Sequence, residues 1–408
     1  MSKLLLTNIG MLATPLGSGV KKGPEQGAIQ VLKDAWVLVE DGLIAQVGTG
    51  APPSVQDAQV VDAGGNLVTP GLVEAHTHLV FGGWRQNELG LKLHGVSYLE
   101  ILAQGGGILS SVKSTQAASQ QELVDKAALA LDEMLRFGTT TCEAKSGYGL
   151  TLEHELKQLR AIQELNQRHP IDLVATFMGA HALPTEYKED REAFIRLVCE
   201  EMIPAVAEQK LAKYCDVFCE TGVFTAEESR RILECAKQHG LIPKIHADEI
   251  DPIGGSQLAG EIGAVSAEHL IVCPPEGIAS LAKGGTVACL LPATSFYLGS
   301  TFAPARDMVN AGVPVAMATD FNPGSCPCLN LQFVMNLGCL KYRLTPEEVL
   351  TAVTLNAASA IGMAGQVGSV EAGKLGDLVI WDAPDLDYIC YRLGSNLAKT
   401  VIKRGQVV

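Results

Sequence analysis

Short apolar runs alternate with amphipathic helical stretches through the middle of the chain, and the alternation is regular enough to count. From Leu72 onward, β-branched and apolar segments mark eight strands: the run from Leu72, then Thr139 to Cys142, Ile171 to Phe177, Cys215 to Cys219, Ile242 to Ile245, Ala264 to Ala267, Thr286 to Leu291 and Val313 to Ala318. Helices are expected between them. Ser119-Gln-Gln-Glu122, Thr225-Ala-Glu-Glu228 and Thr345-Pro-Glu-Glu348 each have the form of a capping box, in which hydroxyl and carboxylate satisfy end N–H groups reciprocally. The first opens a helix whose apolar positions are Leu123, Ala127, Leu131 and Leu135; further helices are predicted over about Leu152 to Arg168, Arg191 to Gln209, Gly255 to Ile262, Glu276 to Lys283 and Pro304 to Ala311. This is an α/β pattern, and its strand–helix count is that of a TIM-like (β/α)8 barrel spanning 68–362.

Both ends read differently. From Met1 to about Val68 the pattern is strand and turn, clearest in the hairpin Ala35 to Val47 around Asp41-Gly42. From Val367 onward the same texture returns, so 1–67 and 363–408 are expected to pair into one small β-sandwich domain. Between the first strand and the first capped helix, Gln104-Gly105-Gly106-Gly107 followed by Ser110, Ser111, Ser114 and Thr115 suggests a mobile loop near a site, or a plain linker. The glycines lack the lysine of a phosphate-binding loop.

Composition narrows the function. Apolar residues make up 47% of the 408, enough for a full core, and the formal net charge is −14 with lysine and arginine scattered singly. No basic stripe exists to neutralise a phosphate backbone, so nucleic acid is excluded as a partner. The opening MSKLLLTNIG is too short and too broken for a signal core, and no apolar run reaches membrane-span length, which predicts a cytoplasmic protein without membrane contact. Eleven cysteines fit reduced thiols; Cys215 and Cys219, and Cys326 and Cys328, are read as structural, lacking a second CxxC-type pair.

The chemistry gathers at strand ends. In Thr69 to Phe81, TPGLVEAHTHLVF, His76 and His78 stand two apart, so on a strand both imidazoles share a face. Of nine histidines, five (His76, His78, His181, His246 and His269) fall at or just past the C-terminal end of an expected strand, as does Asp320. Barrel active sites form at that end.

The set HTH at 76–78, HADE at 246–249, AEH at 267–269 and ATDFNPGS at 318–325 resembles the amidohydrolase superfamily. ETGVF at 220–224, KIHADEIDP at 244–252 and TDFNPGS at 319–325 look like the branch that opens an imidazolone ring in histidine degradation, and the likeness runs through the GKLGDLVIWD tail at 373–382. Three imidazoles and one carboxylate from separate strands can hold one ion with a position open to water, and the expected ligands are His76, His78, His246 and Asp320. Zinc, iron or manganese suits that set. Binuclear relatives use a lysine on the fourth strand; here that strand ends Phe218-Cys219-Glu220, so one divalent metal is expected, although Lys145 and Lys244 lie near strand ends.

The resemblance further implies hydrolysis of the ring amide of 4-imidazolone-5-propanoate to N-formimidoyl-L-glutamate. Asp320 would take a proton from water, His269 would hydrogen-bond the water or oxyanion, and Glu249 would touch the ring nitrogen and shuttle a proton to it. The bland alternatives are a packing histidine or fifth ligand at 269 and a solvated carboxylate at 249. For the substrate, Arg85 would clamp the carboxylate with Tyr148 and Tyr98, His181 would contact the ring carbonyl, and Asn322, Gly324 and Ser325 would line the pocket. A deaminase of the same superfamily, with the same metal set and no need of Arg85, and a non-catalytic barrel are the competing readings. A homodimer is expected.

Overall fold

The structure is a computed structural model that describes residues 2–96, 100 and 106–408. Its centre is an eight-stranded parallel sheet in the order of the sequence: β6 (Leu72–Glu74), β7 (Thr139–Lys145), β8 (Asp172–Ala180), β9 (Tyr214–Cys219), β10 (Ile242–Ala247), β11 (Ser266–His269), β12 (Val287–Leu290) and β13 (Val315–Met317). A parallel bridge from Thr77 to Phe321 joins the continuations of the first and last strands and closes the barrel. Helices pack outside it on a continuous apolar core, and the three capping boxes at Ser119, Thr225 and Thr345 form as expected.

The terminal segments meet as expected, although in a single connected sheet. β1 (Lys3–Pro15), β2 (Ile29–Glu40), β3 (Leu43–Thr49), β4 (Gln59–Asp62) and β5 (Leu67–Pro70) join β14 (Leu378–Trp381), β15 (Ala398–Lys403) and β16 (Gln406–Val407), with β5 pairing antiparallel to β14. The long β1 pairs antiparallel with β2 along one edge and, along the other, parallel with β4 through Leu4 to Thr7 and with β5 through Met11 and Leu12. The sheet wraps one core that runs from Leu4, Val37 and Ile44 to Leu378 and Ile402. It is tied to the barrel by the buried Lys403, whose Nζ lies 2.7 Å from Asp172 of β8 and 2.6 Å from Asp377.

Three segments depart from the sequence reading. Ile108–Ala117, expected as loop, is a helix: Ser114 and Thr115 turn their hydroxyls onto the carbonyls of Ser110 and Ser111, at 3.0 and 2.8 Å, and Val112 is buried, so the polar composition is accommodated within the helix. The helix from Arg191 is interrupted by a π-helical turn at Leu197–Met202, next to Pro204. Leu386–Tyr391, inside the expected strand-and-turn tail, is a short helix capped by Asp385.

Candidate active site

The ladder that closes the barrel also assembles the site. His78 N–H donates to Phe321 O at 2.8 Å and Asp320 N–H to His76 O at 3.2 Å, so the HTH segment and Asp320 lie side by side although 242 positions apart by their numbers 78 and 320. β10 brings His246, and β11 ends in His269. The imidazole rings of His76 and His246 are 4.6 Å apart between centroids, those of His246 and His269 5.1 Å. Ligand-capable atoms of His76, His78 and His246 fall within 4.8 Å of one another, as do those of His76, His269 and Asp320. Asp320 and His269 both adopt left-handed backbone, at φ +60° and +67°, a strained state that functional sites tolerate.

Hydrogen bonds fix which atoms face the centre. Glu268 Oε2 lies 2.8 Å from His76 Nδ1 and Asp216 Oδ1 lies 3.0 Å from His246 Nδ1, so each ring donates through Nδ1 and turns Nε2 inward. Thr294 Oγ1 donates to Asp320 Oδ2 at 2.7 Å. His76 Nε2, His246 Nε2 and Asp320 Oδ1 are buried without a hydrogen-bond partner. Asp320 Oδ1 stands 3.5 Å from His76 Nε2 and 3.6 Å from His78 Nε2. Buried lone pairs left unsatisfied are costly unless a cation takes them, so the donor set fits a metal ion.

Burial holds His76, His78 and His269 well below the ordinary imidazole range, so they are neutral and have lone pairs to offer. Burial pushes Asp320 up to about 6. Glu249 is pushed up to about 8, by burial first and then by the Asp320 charge, and its Oε2 lies 3.6 Å from His269 Nε2. Glu268 behaves oppositely: burial opposes its charge, but Lys244, Lys145, the Ser266 hydroxyl and His246 together bring it down to about 2.

The expected substrate residues ring this centre. His181 stacks on His78 with centroids 4.7 Å apart at an interplanar angle of 11°, and its Nδ1 lies 3.0 Å from Gly147 O. Tyr148 is buried against both, with ring centroids 5.7 Å from His78 and 5.2 Å from His181. Arg85 is buried, its Nε 3.2 Å from Glu88 Oε2, and its guanidinium lies where a β-carbon on Gly324 would be. Asn322 builds its own loop: its Oδ1 accepts the N–H of Gly324 at 2.9 Å and of Ser325 at 2.7 Å, and the Ser325 hydroxyl at 3.1 Å. Tyr98 lies outside the described residues.

Sequence reasoning missed Asp216, Glu268, Thr294 and Glu220. Asp216 and Glu268 carried a signal, a carboxylate inside an otherwise apolar strand, where burial demands a partner. Glu220 carried one too, as a carboxylate just past the strand Cys215 to Cys219 and the first residue of ETGVF: its side chain accepts the N–H of Ile250 at 2.8 Å and of Asp251 at 3.1 Å, fixing the loop that bears Glu249.

Residues 67–408 match the profile of the Amidohydrolase family. An imidazolonepropionase of Alkaliphilus metalliredigens (strain QYMF) is 51% identical over 100% of this chain and 98% of its own length. One from Brevibacillus brevis (strain 47 / JCM 6285 / NBRC 100599) is 51% identical over 99% of this chain and 97% of its own. Among solved structures, the atrazine chlorohydrolase of Arthrobacter aurescens TC1 complexed with zinc aligns with a TM-score of 0.71 at 19% identity, covering 99% of this chain and 94% of that one. The guanine deaminase of C. acetobutylicum with bound guanine aligns at 0.70 and 17% identity, covering 100% of both chains. These two share the fold. With near-complete coverage at half identity, and with the histidines and Asp320 meeting where the strands end, the chain belongs to the amidohydrolase family, among its imidazolonepropionases.

Proposed function

We propose that the chain hydrolyses the ring amide C–N bond of 4-imidazolone-5-propanoate to N-formimidoyl-L-glutamate, with one divalent ion, zinc or iron, held by His76, His78, His246 and Asp320. The observation that carries this is the pair of ligand-capable clusters that share His76, one with His78 and His246 and one with His269 and Asp320, with His76 Nε2, His246 Nε2 and Asp320 Oδ1 all buried and unpartnered. When bound, such an ion supplies Lewis acidity and lets a water ionise near neutral pH.

The chain's own residues do the rest. Arg85 holds the propionate carboxylate through its guanidinium fork, with Tyr148 and Tyr98 donating hydroxyls to the same group. His181 contacts the ring carbonyl, and the 322–325 loop, with Asn322, Gly324 and Ser325, lines the ring's far side. Asp320 accepts a proton from the attacking water, whose oxygen adds to the carbonyl carbon. His269 hydrogen-bonds the water and then the developing oxyanion. Glu249 delivers a proton to the ring nitrogen as the C–N bond breaks, so the leaving nitrogen departs neutral.

The barrel of 68–362 carries this chemistry and the domain of 1–67 plus 363–408 supports it. We take the working form to be a cytoplasmic homodimer, which light scattering of the purified protein tests. Among the described residues no helix is long and apolar enough to cross a membrane. The decisive experiment incubates metal-loaded protein with imidazolone propionate. Formimidoylglutamate without ammonia is the expected product, and ammonia release without formimidoylglutamate would move the chain to the deaminases.

A further inference from the structure

Beneath the proposed metal centre lie two lysines that the reaction does not use. Lys145 on β7 and Lys244 on β10 are both fully buried inside the barrel. Each stands two positions from another inward-facing residue of its strand, Glu143 and His246 respectively, and so lies one layer along the same face. Lys145 Nζ is 2.7 Å from Glu143 Oε1 and 2.9 Å from Asp216 Oδ2. Lys244 Nζ is 3.4 Å from Glu268 Oε1 and 3.7 Å from Glu143 Oε1. The other oxygens of Asp216 and Glu268 are the ones that take Nδ1–H of His246 and His76. An unbroken chain of contacts therefore runs from the lysines through two carboxylates to two ligand rings.

Buried ion pairs are weak sources of stability, since desolvation offsets most of the attraction, so a network of this size points to another role. Lys244 Nζ stands between Glu143 Oε1 and Glu268 Oε1, so without it the two carboxylates would repel and the acceptor of His76 Nδ1–H would shift.

We propose that Lys145 and Lys244 are positioning residues that act as built-in cations. They hold Asp216 and Glu268 in place as acceptors for the Nδ1–H of His246 and His76, and so fix the direction in which those rings present Nε2. This deepens the metal reading and rests on it. Wild-type protein titrated with zinc against a chromophoric chelator tests that reading by itself, with one ion per chain expected; if it takes up none, the metal reading fails first.

The test of the lysines compares variants in the same titration. Lys244→Met and Lys145→Met are expected to weaken zinc binding by roughly 10–100-fold, the range seen when outer-shell partners of ligating histidines are lost. Lys403→Met removes another buried lysine with two ion pairs, remote from the site; it should lower the melting temperature and leave zinc affinity unchanged. Lys244→Met/Glu143→Gln removes one charge of each sign, and its affinity should return to within about threefold of wild type. The proposal is overturned if the single variants only melt earlier, as Lys403→Met does, or if the double variant recovers nothing. Should the single variants fail to fold, the charge-balanced double variant decides alone: near-wild-type affinity supports the proposal and a tenfold loss sinks it.

Discussion

Gly324 is packed so closely against the Arg85 guanidinium that an added β-carbon would overlap it. The glycine is thus a condition for the position of the arginine, and the two make a linked prediction. Hydrogen bonds to a charged group are worth about 1.5–3 kcal/mol, so Arg85→Ala should raise KM for imidazolone propionate by roughly 10–100-fold. Gly324→Ala should raise it in the same direction while leaving zinc content at the wild-type value, because the group it displaces is Arg85, the proposed clamp, and not a proposed ligand. Steady-state kinetics with elemental analysis checks both; a KM unmoved by either change would remove Arg85 from the carboxylate site. Glu249 is predicted to act in the chemical step. Glu249→Gln keeps the shape but cannot pass a proton, so kcat should fall by roughly 10²–10⁴-fold with metal retained.

At the level of strands and helices, much could be read directly from pattern. The barrel strands are short, largely buried runs rich in β-branched and apolar residues, and three helix starts carried a capping box, so period and caps agreed with the fold. The residues that meet in the His76, His78, His246 and Asp320 clusters stood out for the same reason, since polar residues at the ends of such runs have to be explained by a site. What lay hidden were contacts between distant segments. Nothing local announces that Glu155 of the helix Leu152–Arg168 accepts the N–H of Gly147, Gly149 and Leu150 at 3.1, 2.8 and 2.8 Å, or that Gln158 of the same helix accepts that of Tyr148 at 3.0 Å. One helix face thereby shapes the loop after β7 that presents Tyr148. Helix Ile108–Ala117 was hidden by composition, its serine and threonine hydroxyls being satisfied by the preceding turn. Glu155→Ala would leave three buried N–H groups without that acceptor, at about 1–3 kcal/mol each. The expected result is a melting temperature lower by several degrees and a raised KM, with zinc affinity unchanged. Wild-type melting and KM would show that the loop holds its shape unaided.

Over the whole molecule, the interior keeps imidazoles neutral, and that links stability to pH. Burial, helped by His246, holds His181 down to about 3, against an ordinary value of 6.5. A base whose folded pKa lies below its unfolded one binds fewer protons when folded, so stability falls as pH drops below about 6.5 and continues to fall toward about 3. Burial also lowers His76, His78 and His269, so their contributions have the same sign. Glu74 and Glu249, raised to about 8, and Asp320, raised to about 6, contribute with the opposite sign over the same range, so the imidazole contribution is read by difference: in metal-free protein His181→Gln should gain stability relative to wild type as the pH falls from 7 to 5, with a slope that differs by about one proton. Zinc acts on the same equilibrium, because an ion that binds only the folded state stabilises it by about 2.7 kcal/mol at one hundred times its Kd. The proposed ligand that titrates in this range is Asp320, raised to about 6, so that stabilisation should itself shrink as the pH falls through about 6 and the carboxylate protonates. Melting curves from pH 5 to 8, with a chelator and with saturating zinc, separate the two effects. A zinc-induced shift that stayed constant across the range would mean that the ion binds without Asp320.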